Sequence, residues 1–193
     1  MKSKNLAIMI VLTILISGFS DQGVWIIDSH SRLTIKGFTN VNNFSCTIEY
    51  YPGSDTLQYV EKASTRELLF TRSLMTIPIR SFDCGANPIS KDFWQTLKAE
   101  TYPDMKINFV SLENIYASTG NVKGVVDISL AGVTSRYTIC YEAVVNENGT
   151  VLLTGMHSVN FSDFQLQAPE KLNGLIRVKE GLKVYFNLVL KEI

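Results

Sequence analysis

Residues 122–157 read VKGVVDISLAGVTSRYTICYEAVVNENGTVLLTGMH, and this stretch decides the fold. Val122, Gly124, Val126, Ile128 and Leu130 fall on one side of an alternation, with Lys123, Asp127 and Ser129 on the other. Tyr137, Ile139, Tyr141, Ala143 and Val145 alternate likewise against Arg136, Thr138, Cys140, Glu142 and Asn146. The turn Glu147-Asn148-Gly149 leads into Val151, Leu153, Gly155 and His157. Period two with a single apolar face marks half-buried antiparallel strands, and Asn-Gly between two of them is a strong hairpin signal.

The same alternation recurs outward in both directions. Upstream it places Leu33, Ile35 and Gly37, then Phe44, Cys46 and Ile48, then Met75, Ile77 and Ile79, then Met105, Ile107 and Phe109 on apolar faces. Downstream it places Leu182, Val184, Phe186, Leu188 and Leu190 opposite Lys183, Tyr185, Asn187 and Lys191. The chain therefore reads as all-β with about eight strands, enough to close a barrel whose interior holds side chains or one small ligand. Small residues on the inward faces (Gly37, Gly124, Ala143 and Gly155) are expected to leave room inside.

Two segments depart from the alternation. From Asn87 to Glu100 the apolar residues Ile89, Phe93, Trp94 and Leu97 follow a helical spacing, with Asn87 as the expected N-cap and Pro88 in first position. One amphipathic helix against the barrel is thus expected. Ser162 to Gly181, with Pro169, Asn173 and Gly174, reads as a long ordered loop. Its Lys171, Arg177 and Lys179 either reach a barrel mouth or simply face solvent.

The composition agrees with one globular domain. Of 193 residues, 46% are hydrophobic and 19% charged, which excludes a disordered chain. Lys+Arg and Asp+Glu stand at 18 each, so no basic footprint for nucleic acid is present in the totals. At the N-terminus, Lys2 and Lys4 precede an apolar run from Leu6 to Ile16, followed by Gly18 and Ser20. This reads as a signal peptide cut after Ser20, because the run is shorter than the roughly 20 apolar residues that span a bilayer. Residues 21–193 then form the mature domain, with no integral membrane span and a periplasmic or secreted location. Cys46, Cys84 and Cys140 enter an oxidising compartment, and their odd number leaves at least one thiol unpaired within a monomer.

An ordered set of short motifs spans nearly the whole mature chain. It includes Trp25 to Ile35, Thr39 to Cys46, Ile79-Arg80-Ser81-Phe82-Asp83-Cys84-Gly85, Lys91-Asp92-Phe93 and Tyr102-Pro103. It continues through Val126 to Thr134 and Asp163-Phe164-Gln165-Leu166, and closes on Gly174 to Lys179. The set resembles the YceI-like family of lipocalin-like exported bacterial proteins. That resemblance implies an eight-stranded antiparallel lipocalin-like barrel, a helix packed near it and an apolar tunnel for a polyisoprenoid or similar long-chain lipid. The widespread family form has a histidine-bearing loop where this chain has Gly37-Phe38-Thr39-Asn40-Val41. Cys46 and Cys84 lie in motifs resembling paired family positions, which implies a Cys46–Cys84 disulfide with Cys140 free. Three unpaired thiols are the alternative.

The inward faces supply the candidate ligand contacts: Ile35, Ile48, Ile79, Phe109, Val126, Ile128, Tyr141, Leu153, Phe186 and Leu188. No cofactor and no metal site is expected, because the two histidines, His30 and His157, stand in no ligand spacing. Asp28, His30 and Ser31 are read as structural hydrogen-bonding residues, and no nucleophile elbow or phosphate loop is present, so no enzyme activity is expected. Asn43, Asn148 and Asn160 begin glycosylation-type triplets that stay unmodified in a bacterial protein. The expected role is a carrier of an isoprenoid-type lipid, with a filled-core stress-protection or interaction module as the alternative. A homodimer is left open.

Overall fold

A computed structural model describes residues 21–116 and 120–193, so the expected signal peptide lies outside the described residues. The chain begins with β1 (Gln22–Ile27), β2 (Arg32–Phe38), β3 (Asn43–Ile48), β4 (Thr56–Glu61), β5 (Leu68–Arg72) and β6 (Leu74–Pro78). A 3-10 turn (Ile79–Ser81) and helix α1 (Asn87–Thr96) follow. Next come β7 (Asp104–Leu112), β8 (Asn121–Leu130), β9 (Val133–Val145) and β10 (Val151–Asn160). A second 3-10 turn (Phe161–Phe164), the short β11 (Glu170–Lys171) and β12 (Ile176–Arg177), and β13 (Gly181–Glu192) complete the chain.

Antiparallel ladders run β1–β4–β5–β7–β8–β9–β10–β13 and return to β1, closing an eight-stranded barrel. Three of its staves are bent and built from two strands each. On β13, Lys183–Asn187 face β2 and Leu190–Glu192 face β1, so β1 and β2 lie end to end. By the same logic β5 and β6 lie end to end on β7, while β3 continues into β4 beside β2 and β1.

Each bend leaves backbone groups without a ladder partner, and burial makes such groups costly unless a side chain pairs them. Ser31, buried, accepts from Val189 N at 3.0 Å, while Asp28 N donates to Val189 O at 2.8 Å. At the second bend the Tyr51 hydroxyl donates to the Asp55 carboxylate, which accepts Thr76 N at 2.7 Å. At the third, buried Ser73 donates to Phe109 O at 2.5 Å. Asp28 also accepts from Lys191 Nζ at 2.5 Å and from His30 N at 2.9 Å, which holds its carboxyl well below the usual range. The structural reading of Asp28, His30 and Ser31 matches this geometry.

Beyond the bends the barrel ladder is interrupted between β3 and β6, and the segment after the first 3-10 turn fills the seam. Thr47 and Asp83 form an isolated antiparallel bridge, and a disulfide joins Cys46 to Cys84 beside it. Cys140 is free and exposed, as its place on the polar face of β9 requires.

Helix α1 covers this seam with Phe93 and Leu97 of the expected stripe buried and one position of the stripe changed. Its buried residues are Ser90 and Phe93, with Leu97 just past its end, whereas Ile89 is 41% exposed and Trp94 only partly buried. Ser90 replaces Ile89 on the inner face because its hydroxyl accepts Cys84 N at 3.0 Å. The N-cap is Ala86, not Asn87, since Ser90 N bonds back to Ala86 O at 3.0 Å. The expected long loop is likewise more structured than read: Asn160 and Asp163 form a capping box on the second 3-10 turn.

The disulfide closes a loop with a sequence separation of 38 residues. Removing it by Cys46→Ser with Cys84→Ser should lower stability by about 2–4 kcal/mol in denaturant unfolding, the usual range for such a bridge. Non-reducing peptide mapping should recover the Cys46–Cys84 pair and an alkylated Cys140; a Cys140 crosslink to either partner would contradict the assignment.

Candidate functional site

The inward residues of the bent half and its neighbouring strands enclose one apolar cavity. Leu33 and Ile35 on β2, Ile48 on β3, Met75 and Ile77 on β6, and Ile107 and Phe109 on β7 form one wall. Val126 and Ile128 on β8, Ile139 and Tyr141 on β9, and Phe186 and Leu188 on β13 form the other. The space open to the centre of a water-sized sphere is about 90 Å³, several times the roughly 10–15 Å³ that one water needs on that measure.

The two ends differ. Behind Phe109 the barrel is packed solid by an aromatic run: Phe70 lies 5.8 Å from Phe109 and 6.2 Å from Trp25, which lies 4.6 Å from Tyr59. Trp25 is 1% exposed, so this end is closed. At the other end the lining comes from outside the barrel strands: Phe93 and Leu97 of the helix segment, and Phe161, Phe164 and Leu166 around the second 3-10 turn.

The inward glycines do not leave space in the expected way. An added Cβ would stand 2.1 Å from the Phe44 ring at Gly37, 2.8 Å from Tyr141 at Gly124 and 2.7 Å from Phe186 at Gly155. Each glycine is therefore covered by an aromatic ring from an adjacent strand, the cross-strand partner at Gly37 and Gly155. They fix ring positions, and at Gly124 and Gly155 those rings, Tyr141 and Phe186, border the cavity.

Neither a family model nor a curated protein matches the chain. Solved structures do. A polyisoprenoid-binding domain from Saccharophagus degradans superposes with TM-score 0.66 at 13% identity, covering 90% of this chain and 100% of that one. BcnA of Burkholderia cenocepacia gives TM-score 0.61 at 17% identity, covering 82% of this chain and 95% of that one. The YceI protein of Campylobacter jejuni gives 0.50 at 17%, covering 71% and 80%. The chain has the YceI-type barrel fold.

Within this YceI-type barrel, Ile35, Ile48, Phe109, Val126, Ile128, Tyr141, Phe186 and Leu188 all border the cavity. Ile79 and Leu153 do not. Ile79 follows the end of β6 and is buried in the first 3-10 turn, while Leu153 is buried where β10 meets β9 and β13. Met75, Ile77, Ile107 and Ile139 share the inward register of their strands and could have been chosen by the same rule. Phe161, Phe164 and Leu166 could not, because they sit in a stretch with no period; only the Asn160-x-x-Asp163 spacing hints at an ordered turn.

Few polar groups reach the cavity. His157 borders it with its ring 5.1 Å from Tyr137, whose hydroxyl donates to Asp163 at 2.9 Å. Burial pushes the His157 imidazole below its ordinary value, against a smaller opposing effect of Asp163. Below the ordinary histidine value of about 6.5 the unfolded chain therefore binds a proton that the folded one resists, so this group removes stability as pH falls. His157→Gln should consequently lose less stability than the parent between about pH 7 and pH 5 in parallel urea titrations. Equal losses in the two proteins would show that His157 titrates freely.

Proposed function

We propose that this chain is an exported binding or carrier protein, periplasmic or secreted, that holds an apolar isoprenoid-type lipid inside the barrel. The observation that carries this reading is the cavity itself: an unfilled interior walled almost wholly by aliphatic and aromatic side chains. A lipid chain gains about 0.8 kcal/mol for each methylene buried, so a few prenyl units offset the lost freedom of association without any charged contact. A lipid-binding barrel also accords with a structural neighbour named for polyisoprenoid binding. The Cys46–Cys84 disulfide suits an oxidising compartment. No helix among the described residues is long and apolar enough to cross a membrane. The alternative, a filled-core stress-protection or interaction module, requires side chains to occupy the space that the cavity leaves open.

Val126 is 1% exposed and central on the wall, and half-buried Ile128 follows it on the same face. Val126→Trp should fill the chamber and reduce binding of a fluorescent polyprenyl probe at least tenfold while the barrel stays folded. Ile128→Asp should reduce both binding and stability, because a carboxylate facing an apolar cavity has no partner. Lys123→Ala, outside the barrel, should change neither. Titration of delipidated variants with thermal unfolding beside each decides it; a parent that binds no probe at micromolar concentration overturns the carrier reading.

A further inference from the structure

The β11–β12 hairpin carries apolar side chains that the fold does not use. Leu172 and Leu175 in its turn are 67% and 72% exposed, and Val41, in the neighbouring β2–β3 turn, is 64% exposed. The two turns are joined: Asn40 Nδ2 donates to Leu175 O at 2.9 Å, and its side-chain oxygen accepts Arg177 N at 2.9 Å. Leu172, Asn173 and Gly174 are all left-handed, with φ of 52°, 52° and 83°. Leucine in that conformation is strained as well as solvated, and glycine or asparagine would serve the turn better. Lys171 Nζ donates to Asp92 of helix α1 at 2.7 Å, which fastens the hairpin to the cover of the open end.

Positive charge adjoins this apolar tip. Lys36 and Lys183 stand directly opposite each other on β2 and β13, a like-charge pair that costs stability. Each lies over an outward ring, Lys183 at 5.8 Å from Phe38 and Lys36 at 4.8 Å from Tyr185. Exposed Lys179 joins them, its backbone N donating to Phe38 O at 2.7 Å. None of these three lysines ion-pairs with a carboxylate among the described residues. The nearby acids are engaged elsewhere, Glu170 with Arg177 at 3.6 Å and Glu180 with Ser162 N at 2.6 Å.

We propose that this end of the barrel docks on an anionic lipid bilayer, with Leu172, Leu175 and Val41 entering the interface and Lys36, Lys179 and Lys183 meeting lipid phosphates. Such docking strengthens with the apolar area buried and with attraction to anionic lipid, and the tip and the lysines supply one each. A stable protein partner needs roughly 800 Å² from each side, more than the side chains of two turns present. The inference goes beyond the carrier reading and does not depend on what the cavity holds. The hairpin follows Phe164 and Leu166, which line the cavity, so docking sets the open end of the chamber against the bilayer.

The test is flotation of residues 21–193, which make up the whole barrel, with vesicles of phosphatidylcholine and phosphatidylglycerol in equal parts or of phosphatidylcholine alone. The protein should float with the anionic vesicles, more weakly with the neutral ones, and less as salt is raised. Leu172→Ser with Leu175→Ser should weaken binding by about tenfold or more, since two leucines leave the interface, with the melting temperature unchanged. Lys183→Gln should weaken binding to anionic vesicles about fivefold for the lost charge and leave the melting temperature equal or higher, because the opposition to Lys36 is relieved. Val144→Ser, on an exposed residue of the β9–β10 ladder at the closed end, should change nothing. No flotation of the parent overturns the proposal, as does flotation that neither the serine pair nor Lys183→Gln weakens. Sedimentation of the parent as a dimer that the serine pair dissociates, without flotation, would make the tip a contact between copies and overturn it too. Polyprenyl-probe binding in the absence of vesicles should be the same in all these variants, so the carrier reading is judged separately.

Discussion

The structure depends on pairing the backbone where three adjacent staves bend. The interior of an eight-stranded barrel is just wide enough for side chains to fill or for one small ligand to occupy. Here β1/β2, β3/β4 and β5/β6 change direction at one level, and the interior splits into a solid half and a hollow half. The bends are tolerable only because Ser31, Asp55 and Ser73 receive or supply the hydrogen bonds that the ladders drop. Buried backbone groups left unpaired at three places would cost about 1–3 kcal/mol each, a large part of the roughly 5–15 kcal/mol that stabilises a domain. Ser31 and Tyr51 belong to this pinning layer and also border the cavity. The same residues therefore fix the bend and bound the chamber.

Opening one end creates a second problem, which the chain solves with covalent and helical cover. Between β3 and β6 two strand edges would be left without partners, a liability for any sheet. The Thr47–Asp83 bridge, the Cys46–Cys84 disulfide and helix α1 together occupy that seam. The Trp94 indole donates to Phe82 O at 3.2 Å, and Phe82 packs 5.4 Å from Phe93, so helix and seam form one unit. The inner ends of that unit, Phe93 and Leu97, become cavity wall. Closure of the seam and lining of the chamber are one piece of packing.

Much of this was legible in the alternation of the chain. The strands read from period two, β2, β3, β6, β7, β8, β9, β10 and β13, supply one segment to each of the eight staves. The strands not read, β1, β4 and β5, are the bent continuations of three of them. They carry clear inward residues (Trp25, Ile27, Leu57, Tyr59, Leu68), but a bend resets the phase, and nothing in a one-dimensional pattern says that two strands share a stave. The glycines misled for a related reason: a small inward residue signals space only if no neighbouring ring claims it, and Phe44, Tyr141 and Phe186 claim it here. One position of the helix stripe, Ile89, gives way to Ser90, which is polar by type and buried through one hydrogen bond. Of the ten residues expected from periodicity, eight border the cavity, whereas the contributions of the second 3-10 turn come from contacts that no period encodes.

The central claim is that the hollow half of the barrel is a chamber for an apolar lipid and not an unfilled defect. Mass spectrometry of the protein purified gently from the cells that make it, first intact and then after solvent extraction, tests this most directly. The account predicts a stoichiometric mass increment that disappears on extraction, with the extract containing an isoprenoid-type lipid. Protein of bare polypeptide mass, with no lipid in the extract, would contradict it.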